Sequence, residues 1–328
     1  MDYSVTLSQE IIGLSQDSLG LSQETLALAQ GILLGDKSQI STEVMQSFRT
    51  AGMSHLLAVS GLHVGIIMSL VWLLLKPLEW LVLYLTTLPQ LGCRVGSPKT
   101  AYIIGDTKRV FVILLTVVYV WFIGAPPSAM RATLMLSLCL LGWMFHRPTS
   151  AARCLLLAAL LLLAWDPWLI TNVGFQLSFL AVGGILLFQP WLNDSHIHWS
   201  LRAILLSVAA QVLTIPVVAF YFHQVPFLGW LQGLLVVPLM PLFVTLLLLC
   251  LCFPSFTWLS IIVEALRSWM ELMADSIGRL EQLLLGGHLY FYPSWLEALL
   301  AEIFFLALAI LLRLRKDKQQ LPSNKNQR

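Results

Sequence analysis

Residues 56–75 read Leu-Leu-Ala-Val-Ser-Gly-Leu-His-Val-Gly-Ile-Ile-Met-Ser-Leu-Val-Trp-Leu-Leu-Leu, without one Asp, Glu, Lys or Arg. A spanning helix needs about 20 predominantly apolar residues to cross the hydrocarbon core of a bilayer. This stretch meets that length, and it reads as the first membrane helix of the chain. Its surroundings repeat the pattern. Of 328 residues, 58% are hydrophobic and 11% are charged. A soluble domain carries about 25% charged residues. Mean hydropathy is +0.82. The 19 Lys and Arg with 17 Asp and Glu cannot furnish a polar shell for a fold of this length. Soluble enzymes, soluble nucleic-acid-binding factors and disordered proteins are excluded together.

Outward from Leu56–Leu75, further apolar runs follow. Pro77–Leu88 is short and reads as an interfacial or re-entrant piece. Residues 90–109 carry Arg94, Lys99, Lys108 and Arg109 and read as a cytoplasmic loop. Val110–Gly124 and Ser128–Phe145 read as helices around Ala125-Pro126-Pro127. Arg147 and Arg153 bracket a second basic loop. Cys154–Trp165 and Val173–Phe188 flank Asp166-Pro167. Leu201–Phe222 and Phe227–Phe253 come next, the latter interrupted by Pro238 and Pro241. Thr257–Leu285 differs in character. Glu264, Arg267, Glu271, Asp275, Arg279 and Glu281 recur at near-helical spacing among apolar residues, the mark of an amphipathic helix. Leu296–Leu312 leads into a basic tail. The expected fold is all-α, a polytopic helical membrane protein. It would have about seven to nine membrane helices, with broken or re-entrant segments and an amphipathic helix.

Three regions follow from this reading: an extracytoplasmic polar and amphipathic arm over residues 1–54, a helical membrane domain over 55–312, and a basic cytoplasmic tail over 313–328. Charge supports the division. The arm holds six acids against Lys37 and Arg49, and the tail holds six bases against Asp317. Basic segments beside apolar helices favour the cytoplasm. Within the arm, Leu-Ser-Gln-Glu/Asp recurs from Leu7, Leu14 and Leu21, and Leu28-Ala29-Gln30 begins a degraded fourth copy. Gly13 and Gly20 weaken a coiled-coil reading, so a poorly ordered polar arm is expected. Residues 40–54 read as an amphipathic helix. No secretory signal is visible before Leu56. The five cysteines form no paired framework and read as small packing residues.

Polar groups at membrane depth need a reason. His55, Ser60, Gly61 and His63 cluster at the mouth of the first run. Two readings lead there: satisfaction of backbone groups at a break beside Gly61, or a pore lining. A nucleophile–base pair would also need an orienting acid and an oxyanion site, and a zinc site a third ligand. Pro126 and Pro127 stop one helix, Ser128 is placed to cap the next, and Arg131 then falls in its first turn. Arg131 reads either as a lipid-facing anchor or as a guanidinium for phosphate, which the nearby helix N-terminus would also favour. Gln176 and Ser178 open a later helix, and Gln211 precedes the break at Pro216. His223 stands in the following turn, and Gln232 precedes Pro238. Each amide also fits simple interhelical hydrogen bonding, but several broken helices in one chain favour a pathway.

The segment His55-Leu-Leu-Ala-Val-Ser60-Gly61-Leu62-His63-Val64-Gly65 closely resembles the signature of the ComEC family of bacterial DNA-internalisation channels. Gly31-Ile-Leu-Leu-Gly35-Asp36, Gly124 to Ala132, Asp166-Pro167, Gly174 to Ser178, Gln211 and the stretch Phe222–Pro238 follow in the family's order, over roughly residues 28–255. The resemblance implies a channel component that passes single-stranded DNA across the bacterial cytoplasmic membrane during natural transformation. That is transport without enzymatic activity, catalytic residue, cofactor or metal. Implied partners are single-stranded DNA, the bilayer, a separate nuclease-domain protein, an extracytoplasmic DNA receptor, a cytosolic ATP-driven translocase and a further copy of the chain.

Departures qualify it. Full-length relatives add an OB-like domain and a metallo-β-lactamase-like domain, and a minimal or split relative without either is expected here. His196-Ile-His198-Trp lacks the Asp-His that would complete the latter's metal motif, and Gly233 stands where the family often has Asn. No GxxxxGK[ST] loop is present. The alternatives are an intramembrane hydrolase using Ser60 and His63, and a small-solute transporter.

Overall fold

The computed structural model describes residues 20–50, 59–87, 98–193, 197–225, 228–253, 255–285, 289–290 and 292–320. In chain order the α-helices are α1 (Gln23–Ala29), which runs on as a π-helical turn over Gln30–Leu34, α2 (Thr42–Thr50), α3 (Gly61–Thr87), α4 (Pro98–Phe122), α5 (Pro127–Met144), α6 (Ala151–Trp165), α7 (Val173–Leu192), α8 (Trp199–Val212), α9 (Ile215–Phe222), α10 (Gly229–Leu235), α11 (Met240–Cys252), α12 (Thr257–Leu285) and α13 (Trp295–Gln320). Among the described residues the strands are β1 (Gln224–Val225) and β2 (Leu289–Tyr290), a single antiparallel pair with Gln224 opposite Tyr290. The protein is helical, as its composition requires.

Three helical stretches are long and apolar enough to cross a bilayer: Gly61–Tyr84, Val173–Leu192 and Trp295–Leu314. A fourth is counted if α8 and α9, bent by 53° at their junction, form one broken span. Pro216 explains that bend. It sits near the start of α9, where its missing N–H costs no helical bond but its ring stops the preceding helix. Ala151–Trp165 and Val237–Cys252 are apolar but shorter.

Two expectations are corrected. Pro77 does not end the first membrane helix, because α3 continues through it to Thr87. Residues 77–87 therefore continue α3, whose stretch Gly61–Tyr84 is long and apolar enough to cross a bilayer, and do not form a separate piece. One lost backbone bond is tolerated where apolar side chains on both sides stay helical. Nor are residues 98–109 a loop. Pro98 starts α4, and Lys108 turns inward from it to meet Glu79 of α3 with N···O 2.8 Å, its ammonium 4.1 Å from the centre of the Trp72 ring. A charge read as loop-forming is instead neutralised between two helices.

The chain divides into two compact units, Met1–Ile40 with His55–Ala158 and Pro241–Arg267, and Ser41–Ser54 with Ala159–Met240 and Ser268–Arg328. In the first, α3, α4 and α5 pack on one another. Val59, Val64, Met68, Val112, Val120 and Ala129 form their shared core. Residues 25–33, from the segment read as a polar arm, are buried here. Ser22 accepts from the Thr25 N–H as helix cap, while its own N–H and hydroxyl donate to the Glu264 carboxylate at 2.6 and 3.1 Å. Arg267 bridges Glu24 (2.9 Å) and Glu264 (3.2 Å), and the Tyr119 hydroxyl donates to Leu33 O at 2.9 Å. Apolar Leu26, Leu28, Ile32 and Leu33 make burial of this segment favourable.

In the second unit, α7 and α8 pack closely, and α13 lies against α7 and α9. A Cβ on Gly184 would collide with Ala209 O, so α7 meets the α8 backbone at a glycine. Helix starts follow ordinary capping. Asn172 accepts from Phe175 N–H ahead of α7, and Asp166 accepts from Trp168 N–H ahead of the short 3-10 turn Pro167–Thr171.

Candidate functional site

Chain reversal between α4 and α5 builds the centre of the first unit. Gly124 and Ala125 both take left-handed backbone, with φ 82° and 52°. Ala125 N–H closes back on Val120 O at 2.9 Å, and Pro126 and Pro127 then start α5. A glycine takes the first of these angles without strain, whereas an alanine is disfavoured in the second. The turn is tight enough to bring the start of α5 beside the start of α3.

Ser128 departs from expectation here. It does not cap its own helix, whose N-cap position is Pro126. Its hydroxyl instead donates to Val59 O at 2.8 Å, joining the approach to α3 with the start of α5 across 69 positions of sequence. The helix begins one residue before Ser128, so Arg131 lies in its second turn rather than its first. Arg131 is buried and its guanidinium reaches the first residue of α3. A Cβ on Gly61 would stand 2.7 Å from Arg131 Nη2 and 3.1 Å from Ala132 Cβ. Glycine at 61 leaves the room that the guanidinium occupies.

His63 is fully buried at the third position of α3. Its Nδ1 accepts the Ser60 N–H at 3.0 Å and lies 3.3 Å from Ser60 Oγ. The imidazole thus reaches back to cap the helix start, the role that Glu or Gln plays in a capping box. A nitrogen that accepts a backbone N–H carries no proton itself and is already engaged as a cap. Gly35, in left-handed backbone at φ 80°, lies alongside: a Cβ there would be 3.6 Å from Val59 Cγ2 and 3.7 Å from Ile123 O. Three segments far apart in sequence, around Gly35, Ser60 and Arg131, therefore converge. His55 lies outside the described residues.

The remaining candidates belong to the second unit. Gln176 Nε2 donates to Ile170 O at 2.8 Å and reaches the Tyr221 hydroxyl at 3.4 Å, linking α7 to α9. Ser178 is half-buried one half-turn further along α7. Gln211 Nε2 donates to Ser207 Oγ at 3.1 Å within α8 itself, so it satisfies its own helix and does not bridge to a neighbour. His223 closes α9 in left-handed backbone at φ 55°, with its ring 4.9 Å from that of Tyr292. Gln232 lies in α10. Among the described residues, no three His, Cys, Asp or Glu side chains gather to hold a metal ion.

Sequence reading missed the Lys108–Glu79 pair, the Arg267 bridge and Glu302 of α13. It also missed the meeting of Cys139 and Cys154, whose sulfurs lie 3.4 Å apart as free thiols. Each was visible as a lone polar or sulfur residue in an apolar or amphipathic run; none of the pairings was.

Apolar helices broken at prolines, with a buried arginine between two helix starts, define a helical membrane domain. The chain belongs to the competence protein family, whose model matches residues 32–317. It is 26% identical over 253 residues to ComE operon protein 3 of Bacillus subtilis (strain 168). That match covers 76% of this chain and 29% of the relative, so the chain spans less than a third of the relative's length. No solved structure matches it.

Proposed function

We propose that the chain is a membrane channel component that passes single-stranded DNA across the bacterial cytoplasmic membrane during competence, and that it does so without enzymatic activity. The observation that carries this reading is the placement of Arg131. Its guanidinium sits against the first residue of α3 and within the second turn of α5. Both helix starts carry positive partial charge. A guanidinium placed beside two helix starts is a favourable setting for an anion. A phosphodiester has the charge and the planar-fork fit for a guanidinium.

Seven to nine crossings belong to this proposal too, because they require α4, α5, α6 and α11 to enter the bilayer with the longer helices. Phe111, Leu114, Val118 and Trp121 on α4, and Leu156, Leu157, Leu160 and Leu161 on α6, are exposed, as lipid-facing side chains are. The proposed location is the cytoplasmic membrane, with the basic end of α13 inside. The proposed partners are single-stranded DNA, an extracytoplasmic DNA receptor, a nuclease-domain protein, a cytosolic ATP-driven translocase and further copies of the chain.

The test is transformation of a deletion strain complemented with Arg131→Ala or Arg131→Lys, with membrane levels matched. Arg131→Ala is expected to lower uptake of labelled donor DNA into the cytoplasm at least tenfold, and Arg131→Lys to recover part of it. Wild-type uptake by an inserted Arg131→Ala protein overturns the phosphate role. Wild-type uptake in the deletion strain overturns the function.

A further inference from the structure

Glu302 lies midway along Trp295–Leu314, one of the three stretches able to cross a bilayer. Along this helix the residues turned toward protein are Ala298, Ala301, Glu302, Phe305, Ala309, Leu312 and Arg313, one stripe at helical spacing. Glu302 is thus on the packed face of α13. Both of its carboxylate oxygens are shielded from solvent and meet no hydrogen-bond partner among the described residues.

The charged groups around it are few. On α13 itself, Glu297 lies about 7.5 Å before it along the axis and Arg313 about 16.5 Å beyond, at 1.5 Å per residue. Arg313 is already turned to Leu186 O at 3.0 Å. Helices α7 and α9, against which α13 packs, contain no Asp, Glu, Lys, Arg or His. The titratable group they offer is Tyr221, whose hydroxyl receives Gln176. An ionised carboxylate in such surroundings would lose its hydration with no countercharge in return, a cost of several kcal/mol. A carboxylic acid avoids most of that cost by keeping its proton.

We propose that Glu302 is an intramembrane proton-binding site. Its carboxyl holds a proton while α13 is packed on α7 and α9, and releases it when those helices separate enough to admit water. Release places a negative charge on the packed face of α13, which favours the separated arrangement. Proton binding and helix packing are therefore linked, and each drives the other. This inference is independent of the nucleic-acid reading.

The test uses the full chain in liposomes with dicyclohexylcarbodiimide, an apolar reagent. The carboxyl proton passes to a carbodiimide nitrogen and the carboxylate oxygen bonds to the central carbon. The resulting O-acylisourea rearranges to a stable N-acylurea, with no leaving group. Only a protonated carboxyl in an apolar site reacts efficiently. The adduct is expected on the Glu302 peptide at neutral pH, to diminish at least fivefold in alkaline buffer, and to be absent from Glu302→Gln. A water-soluble carbodiimide with glycine ethyl ester is expected to modify exposed Glu297 and to spare Glu302. Glu302→Gln, which mimics the protonated acid, is expected to keep wild-type thermal stability. Absence of the apolar adduct on Glu302, or equal modification by the water-soluble reagent, overturns the proposal.

Discussion

Arg131 and Gly61 occupy one space. A Cβ on residue 61 would stand 2.7 Å from Arg131 Nη2, so the arginine holds its position against α3 because its neighbour has no side chain. This contact links the signature around Ser60 to the Pro126-Pro127 break, two features that look unrelated along the chain.

Gly61→Ala is expected to push the guanidinium aside. The colliding atom is the far end of a flexible side chain, so the cost in stability is modest, about 1–2 kcal/mol for overpacking. Uptake of DNA is expected to fall as in Arg131→Ala, and the double variant to be no worse than either single one. Additive losses in a double-mutant cycle would show that the two residues act separately.

The pair Lys108–Glu79 is expected to behave as a unit. Replacing Lys108 by Met leaves Glu79 without its 2.8 Å partner, at a cost on the order of 3 kcal/mol. Replacing both by Met removes the burden and is expected to restore the folded yield. Thermal unfolding in detergent reads both results. A double variant no better than Lys108→Met would disprove the coupling.

Glu264 makes the attachment of α1 dependent on acid. Burial alone raises its pKa, but donors from Ser22, Thr25 and Arg267 outweigh burial and hold it below the ordinary glutamate value. A carboxylate depressed in the folded state stabilises above its unfolded pKa, and that contribution fades as pH falls through the folded value. Hydrogen exchange of residues 23–34, corrected for intrinsic rates, is expected to be slow at neutral pH and to accelerate below the usual carboxylate range. Glu264→Gln should show the fast exchange already at neutral pH. Equal exchange in the variant and the wild type would rule the attachment out.

Cys139 and Cys154 report the register of α5 against α6. Their sulfurs are 3.4 Å apart, and Thr149 Oγ1 lies 3.1 Å from Cys154 Sγ. A membrane-permeant oxidant is expected to join them, removing two thiols with release of two protons and two electrons. Peptide mapping should find the bridge, and Cys139→Ser should abolish it. Preferential bridging of either residue to Cys250 or Cys252 would contradict this packing.

Local pattern made much of the architecture legible. Charge scarcity announced a membrane protein, prolines at 126, 127 and 216 marked helix ends, and the four-residue rhythm of acids and bases foretold α12 over Thr257–Leu285. Such signals are complete within a few turns of chain, because a helix is stabilised by neighbours three and four residues away. Proline in isolation misled at Pro77, where α3 simply continues.

The candidate residues were legible as types and not as a site. Ser128 looked like a cap for its own helix and proved to hold Val59. His63 reads as satisfying backbone groups at the break beside Gly61 or lining a pore, and its Nδ1 takes the Ser60 N–H. Gln211 reads as a pathway amide or an interhelical bridge, and its Nε2 donates within its own helix. From its sequence alone this protein was determined to be helical, apolar and broken at defined places. The tertiary structure decided which breaks meet, that Gly61 makes room for Arg131, that Lys108 has a countercharge and that Glu302 has none among the described residues. Those outcomes depend on which helix faces pack together, and side chains 29 or 69 positions apart leave no mark of their pairing in the local sequence.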